Sequence, residues 1–171
     1  NKIGSIVAIE PSSGEILVQV SSPSYDPNVL MGRHRTENYQ ALSKNDSLHP
    51  LFNRAIMAEY PPGSIFKYIQ LLIGLQEGLI NENTGFECNK NLIGCHEHQR
   101  ASNVREALQY SCNPYFYNVF RKIIQSGQYN SIFRNSEVGL NKWVQHVESF
   151  GLGKPLDIDI AGCQGGFIPD P

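Results

Sequence analysis

The 171-residue chain carries 14 Lys and Arg against 16 Asp and Glu, a formal net charge of -2, so it offers no basic face for gripping a nucleic-acid backbone. Its 40% hydrophobic and 10% aromatic content is too apolar for a disordered chain and suffices for one domain built around one core. The longest apolar run, Leu71-Leu72-Ile73-Gly74-Leu75, is far short of the roughly 20 residues that cross a bilayer, and the first residues lack the basic-then-apolar order of a signal peptide.

Two β-branched-rich runs, Gly4 to Glu10 and Glu15 to Ser21, flank Pro11-Ser12-Ser13-Gly14 and predict a β-hairpin. Ser22 to Pro50 is rich in Ser, Pro, Asn and Asp without a sustained period and reads as a long loop. The breaker cluster Tyr60-Pro61-Pro62-Gly63 precedes an apolar stripe at Phe66, Ile69 and Ile73, which predicts a buried helix from Ser64 to near Gly78. Asn103 with Glu106 has capping-box spacing for a short helix. Asn113-Pro114 reads as N-cap and first-turn proline of a helix whose stripe is Phe116, Val119, Phe120, Ile123 and Ile124. A last amphipathic helix carries Val138, Trp143, Val144, Val147 and Phe150 and ends at Gly151.

The fold class is therefore α+β, a β-hairpin plus a helical body, with residues 1–171 forming the N-terminal part of one domain and no second domain. A two-stranded hairpin leaves its edges open, so the expectation is that further strands belong to the sheet or that the chain self-associates through the open edge. The strand-like start and the closing Gly166 to Pro171 run give both ends the look of cuts in a longer protein.

Ser64-Ile65-Phe66-Lys67 is a Ser-x-x-Lys tetrad that puts both side chains on one face of a helix start. A serine hydroxyl becomes a nucleophile when a neighbouring base removes its proton, and a lysine serves as that base once burial or nearby positive charge lowers its pKa. Backbone N–H groups at the helix start face a developing oxyanion. Ser111-Cys112-Asn113 falls on a turn between two helices, where a hydroxyl can relay a proton and a carboxamide can bind a substrate amide. Either motif alone has a plain structural reading, as capping residues; their ordered pair is far more specific.

Together with Asn53-Arg54-Ala55, Tyr60-Pro61-Pro62-Gly63 and Phe150-Gly151-Leu152-Gly153, these motifs resemble the transpeptidase domain of class B penicillin-binding proteins. The opening Gly4-Ser5-Ile6-Val7-Ala8-Ile9-Glu10-Pro11, with Gly14 to Leu17 and Ser22 to Asn28, resembles the penicillin-binding protein 2 branch, the cell-elongation enzymes. The resemblance implies a penicillin-binding, serine β-lactamase-type fold whose C-terminal sheet strands are missing here. It implies a peptidoglycan D,D-transpeptidase acting on stem peptides through a serine acyl-enzyme and trapped by β-lactam antibiotics. Ser64 would be the nucleophile, Lys67 the general base, and Ser111 and Asn113 the relay and amide-binding pair. The location implied is the outer, periplasmic side of the cytoplasmic membrane, by an N-terminal anchor absent from this chain, beside cell-elongation membrane proteins. No Lys-Thr-Gly, Lys-Ser-Gly or His-Thr-Gly occurs, so the chain by itself is expected to be catalytically incompetent. The rivals are a serine β-lactamase and a penicillin-sensing receptor domain.

Cys88, Cys95, His96, His98 and Cys112 fall within 25 residues, as Cys-x6-Cys-x2-His-x13-Cys when His98 is the imidazole. Three thiolates and one imidazole make a closed tetrahedral zinc set, which would pin the Ser111 turn to the preceding loop. The resemblance favours a structural zinc, not needed for acyl transfer, on Cys88, Cys95, His98 and Cys112, with His98 preferred over His96. A Cys88–Cys95 disulfide and an unliganded cluster stay open as alternatives. Cys163 stands apart, and His34, His49 and His146 have no evident partner and read as surface or loop positions. Asp157-Ile158-Asp159 reads as structural.

Overall fold

The computed structural model describes residues 2–125 and 127–170; Asn1, Ser126 and Pro171, which closes the C-terminal run, lie outside them. The chain divides into two compact units, residues 1–59 with 155–165, and residues 60–154 with 166–171.

In the first unit β1 (Gly4–Ile9) and β2 (Ile16–Ser22) pair antiparallel, Gly4 opposite Ser22 through Ala8 opposite Val18, and the register shifts so that Ile9 meets Ile16. Gly14 makes the turn possible at a φ of 80°, its N–H donating to the Glu10 carbonyl at 2.8 Å. The two strands are the whole sheet among the described residues. Ile6 and Val7, on opposite faces, are both exposed. The predicted long loop instead contains a 3₁₀ turn at Pro27–Leu30 and a helix, α1 (Arg35–Ser43). No residue of α1 is buried, so it has no apolar stripe for a sequence pattern to reveal.

The Asn53-Arg54-Ala55 motif opens α2 (Arg54–Met57), which packs on the hairpin. Asn53 caps it by accepting the Ala55 N–H at 3.2 Å. The Arg54 guanidinium is buried and donates to the carbonyls of Leu48 at 2.7 Å and of His49 and Phe52 at 3.3 Å. His34 is exposed beside Glu37, whereas His49 adopts a left-handed backbone and lends its carbonyl to that clamp.

The second unit is helical: α3 (Phe66–Gln76), α4 (Val104–Gln109), α5 (Asn113–Ile124) and α6 (Ile132–Ser149). α5 is the centre, packed on α3 and α6, with Ile73, Ala107, Tyr115, Val119, Trp143 and Val147 in the core. The predicted stops hold, with Gly78 at φ 66° after α3 and Gly151 at φ 80° after α6. Asn103 caps α4 by accepting the Glu106 N–H at 2.9 Å, and Glu106 reaches back to the Ser102 N–H at 2.7 Å, one residue earlier than a standard box.

The buried side of α6 is Asn135, Gly139, Trp143 and Val147, a four-residue repeat in which two members are not apolar. At Gly139 a Cβ would lie 2.5 Å from the Ile124 Cα and carbonyl oxygen, so α6 meets the α5 backbone directly. Gly139→Ala is expected to destabilise the protein by about 1–3 kcal/mol despite alanine's better helix propensity, read as a lower denaturation midpoint in urea.

His146 has a partner that sequence position did not disclose: its Nε2 lies 2.7 Å from Glu77 Oε1, and Lys142 pairs with the other Glu77 oxygen. These contacts tie the end of α3 to α6. Lys142 above all, then His146, outweigh partial burial and hold the Glu77 carboxyl below its ordinary value. A carboxyl lowered on folding stabilises above its unfolded pKa and loses that contribution as pH falls through the folded value. Thermal stability followed from neutral pH into acid should thus fall less steeply in Glu77→Gln than in the wild type.

Candidate active site and metal cluster

Gly63, at φ 59°, turns the chain after the two prolines. A 3₁₀ turn, Gly63–Ile65, then runs directly into α3. Ser64 therefore lies inside this turn rather than at an N-cap, and its hydroxyl makes no capping bond. Its oxygen instead accepts from the Ser111 hydroxyl at 3.1 Å.

Lys67, one turn further on, is half-buried and gives its three donors to three oxygens. These are the Ser111 carbonyl at 2.6 Å, Ser111 Oγ at 2.8 Å and Asn113 Oδ1 at 2.6 Å. Its Nζ also sits 5.5 Å from the centre of the Phe116 ring. Burial lowers the Lys67 pKa, and the Cys95 and Cys112 thiols pull the other way. Ser64, Lys67, Ser111 and Asn113 are thus brought together, with Ser111 Oγ between the lysine and the Ser64 hydroxyl.

The α4–α5 junction creates this arrangement. Ser111 has a left-handed φ of 49°, a conformation that costs a non-glycine residue about 1–3 kcal/mol. Extended Cys112 is the N-cap residue of α5, so Asn113 occupies the first helical position and Pro114 the second. The sequence expectation of Asn113 as N-cap is corrected: the cap falls one residue earlier and frees the carboxamide. Its Oδ1 faces Lys67, and its Nδ2 donates to the Gly94 carbonyl at 2.8 Å.

The Gly94 loop carries the second cluster. The Sγ atoms of Cys88, Cys95 and Cys112 and a ring nitrogen of His98 all lie within 4.8 Å of one another. His98 Nε2 is 3.4 Å from both Cys88 and Cys95 Sγ, while Nδ1 lies 2.6 Å from the Gln99 carbonyl. That carbonyl can only accept, so Nδ1 carries the proton and Nε2 offers its lone pair inward. Tyr110 stacks on the His98 ring at 5.4 Å, and the His96 ring lies 5.2 Å from that of His98, outside the donor set.

Ligands about 2.0–2.3 Å from a tetrahedral zinc lie roughly 3.5–3.8 Å from one another, so donors within 4.8 Å of one another would fit such an ion after small side-chain shifts. Burial pushes the Cys112 thiol up to about 12. Burial also opposes ionisation of Cys95, but the Asn113 N–H at 3.4 Å, His98 and Cys88 outweigh it and lower that thiol. The His98 imidazole is raised first by its bond to Gln99, against burial, with Cys95 adding to the rise. All four cysteines are free thiols, and Cys163 belongs to the other unit.

Two contributors to the site act through backbone carbonyls, Gly94 and Gln99, and leave no signal in residue type. Asp157 and Asp159 lie in the other unit from these clusters.

Comparison with known proteins follows the same lines. Peptidoglycan D,D-transpeptidase PbpA of Mycobacterium tuberculosis is 49% identical over 186 residues, covering 98% of this chain and 34% of its own length. The structure of penicillin-binding protein A from M. tuberculosis as its penicillin G acyl-enzyme complex is similar with a TM-score of 0.70 and 31% identity, over 98% of this chain and 39% of that one. The complex between penicillin-binding protein 2 and MreC from Helicobacter pylori gives a TM-score of 0.77 at 27% identity, over 99% of this chain and 30% of that one. The chain spans about a quarter to a third of the length of the curated relatives it matches end to end. The family model described as the penicillin binding protein transpeptidase domain matches residues 4–171. With the Ser-x-x-Lys helix, the Ser-x-Asn turn and nearly the whole chain accounted for, this protein belongs to the penicillin-binding protein transpeptidase-domain family.

Proposed function

We propose that the full-length protein is a serine peptidoglycan D,D-transpeptidase of the cell-elongation type, acylated at Ser64. The observation that carries this is the unbroken chain of hydrogen bonds from Lys67 through Ser111 Oγ to Ser64 Oγ. With Lys67 neutral the donors reverse: the Ser64 proton passes through the Ser111 hydroxyl to the lysine as Oγ attacks the penultimate D-Ala carbonyl of a stem peptide. The serine–acyl bond forms, the peptide bond to terminal D-Ala breaks, and the stored proton goes to the leaving amine. An amine of a second stem peptide then displaces Ser64. Opening of a β-lactam ring follows the same first step and leaves no free leaving group, so the adduct persists. Asn113 has one Nδ2 hydrogen committed to Gly94 and one available for the substrate's amide carbonyl.

Cys88, Cys95, His98 and Cys112 would hold a zinc ion, which when bound supplies a tetrahedral cross-link and no step of the acyl transfer. Such a link would fix the Ser111–Asn113 turn, since Cys112 lies between those two residues. Cell-wall substrates put this chemistry on the outer side of the cytoplasmic membrane. No described helix is long and apolar enough to cross a membrane; an N-terminal anchor in the full-length protein belongs to this proposal through the family resemblance alone. The MreC complex of the H. pylori relative supports a cell-elongation membrane partner.

Intact-mass spectrometry of the full-length protein after benzylpenicillin treatment, beside Ser64→Ala, tests the reading. One stable adduct absent from the variant, together with cross-linking of stem peptides, supports it. An adduct without cross-linking would indicate a sensor, penicillin consumed without an adduct a β-lactamase, and intact penicillin without an adduct would overturn Ser64 as nucleophile.

A further inference from the structure

We propose that Phe116 is a positioning residue for the acyl transfer: the face of its ring stabilises the positive charge that Lys67 acquires as it takes the Ser64 proton. The kinetic part rests on Ser64 being the acylated residue; the effect of the ring on Lys67 does not.

Phe116 follows Asn113 by three positions on α5, so the two side chains share one face of that helix. The ring is buried and packs edge-to-face with Tyr115, the centres 5.4 Å apart. Tyr115 is itself fully buried and tied by its hydroxyl to the Thr84 carbonyl at 2.8 Å. The Phe116 ring is therefore a fixed surface. Lys67 Nζ sits over it at 5.5 Å from its centre, inside the roughly 6 Å reach of a cation–π contact.

The rest of the lysine's surroundings carry little compensating charge. Its three donors go to the Ser111 carbonyl, Ser111 Oγ and Asn113 Oδ1, all uncharged oxygens. Among the described residues no carboxylate pairs with it. The titratable groups that act on it are the Cys95 and Cys112 thiols. To this surround Phe116 adds the negative face of an aromatic quadrupole.

A base for this step meets two demands that conflict. It must be neutral at the working pH, and it must accept charge readily as the Ser64 O–H bond breaks, the Oγ–acyl bond forms and the proton reaches Nζ through Ser111. A carboxylate beside the amine would meet the second demand and defeat the first, because it would keep the lysine protonated. An aromatic face stabilises the charge by much less and takes no proton, so it aids the transition state while leaving a neutral fraction. Weakening that face then has two opposed effects. The neutral fraction of Lys67 rises at a given pH, and the charge formed in the step is less well held. Below the pH at which the lysine titrates, the first effect is the larger, because the transition state carries only part of the full charge. Above it only the second remains.

Fluorination of the ring tests this, since fluorine drains the quadrupole while nearly keeping the shape. Full-length protein is prepared with phenylalanine, para-fluorophenylalanine or pentafluorophenylalanine at position 116. The saturating rate and half-saturating concentration of benzylpenicillin acylation are followed against pH, in samples matched for zinc content and Tm so that the two thiols are in the same state. The pentafluoro ring is expected to move the rising limb about half a pH unit toward acid. On the limb the saturating rate should be about twofold higher, and on the plateau about twofold lower, with the half-saturating concentration unchanged and the para-fluoro ring in between. Phe116→Leu, apolar but without a ring, should cross the wild-type profile in the same sense; if it does not fold, the fluorinated rings carry the comparison. Profiles that coincide, a rate lowered at every pH as packing damage would lower it, or a change confined to the half-saturating concentration would overturn the proposal. Should the unmodified protein fail to react with benzylpenicillin, the Ser64 reading falls. The NMR titration of the Lys67 ε-carbon, assigned by its loss in Lys67→Gln, then decides: a midpoint moved toward acid by fluorination supports the role of the ring, and an unmoved midpoint overturns it.

Discussion

Replacing Lys67 by Gln in the full-length protein is expected to slow benzylpenicillin acylation by about 10²–10⁴-fold, the usual worth of a positioned general base. Glutamine can still donate to Ser111 and Asn113, but its amide cannot take a proton from the Ser64 hydroxyl. Lys67→Arg separates basicity from charge. It keeps a cation beside the Cys95 and Cys112 thiols, yet a guanidinium stays protonated at any working pH. Both variants should therefore be slow while remaining folded by circular dichroism, and rescue by arginine would refute the base role. Burial lowers the Lys67 pKa, which raises the fraction of neutral amine at neutral pH. Acylation by the wild type should accordingly rise with pH as that amine is deprotonated, and this limb should vanish in Lys67→Gln.

The second large effect concerns the metal. Protein purified without added zinc is expected to contain about one zinc per chain by elemental analysis, and a stoichiometry near zero would reject the assignment. For zinc a thousandfold above its Kd, stripping should cost about 4 kcal/mol of folding stability, seen as a lower Tm that zinc restores. Cys112→Ser should reproduce much of this loss, because a fully buried, metal-directed thiol is replaced by a hydroxyl without the same donor. Acylation should fall along with the metal, since Cys112 is bonded on one side to Ser111 and on the other to Asn113.

The hairpin, the α3 and α6 stops and the α5 stripe were legible because each depends on local chemistry: turn formers, left-handed glycines and apolar repeats. That Ser64, Lys67, Ser111 and Asn113 would meet in space was legible as well, from the order of two short motifs. What escaped the sequence has a common cause. α1 buries nothing, so it has no stripe. Gly139 on α6 faces the core as a space for the α5 backbone, not as a hydrophobe. His146 meets Glu77 across 69 positions, beyond any local pattern. Asn113 read as a cap because Asn-Pro favours one, yet extended Cys112 took that place and left the carboxamide to the site.

The backbone of Ser111 sets stability against activity at one residue. Glycine would adopt its φ of 49° without strain, and on stability alone glycine is the better choice there. Glycine has no oxygen to stand between Lys67 and Ser64, so the relay requires a side chain where the backbone disfavours one. The turn is consequently a loaded element, inclined to relax and held by what flanks it: the Lys67 ammonium on its carbonyl, and the Cys112 and Asn113 anchors on the loop beyond. Weakening any of these anchors lets the least comfortable residue of the site move first, and its hydroxyl is the one that stands between Lys67 and Ser64.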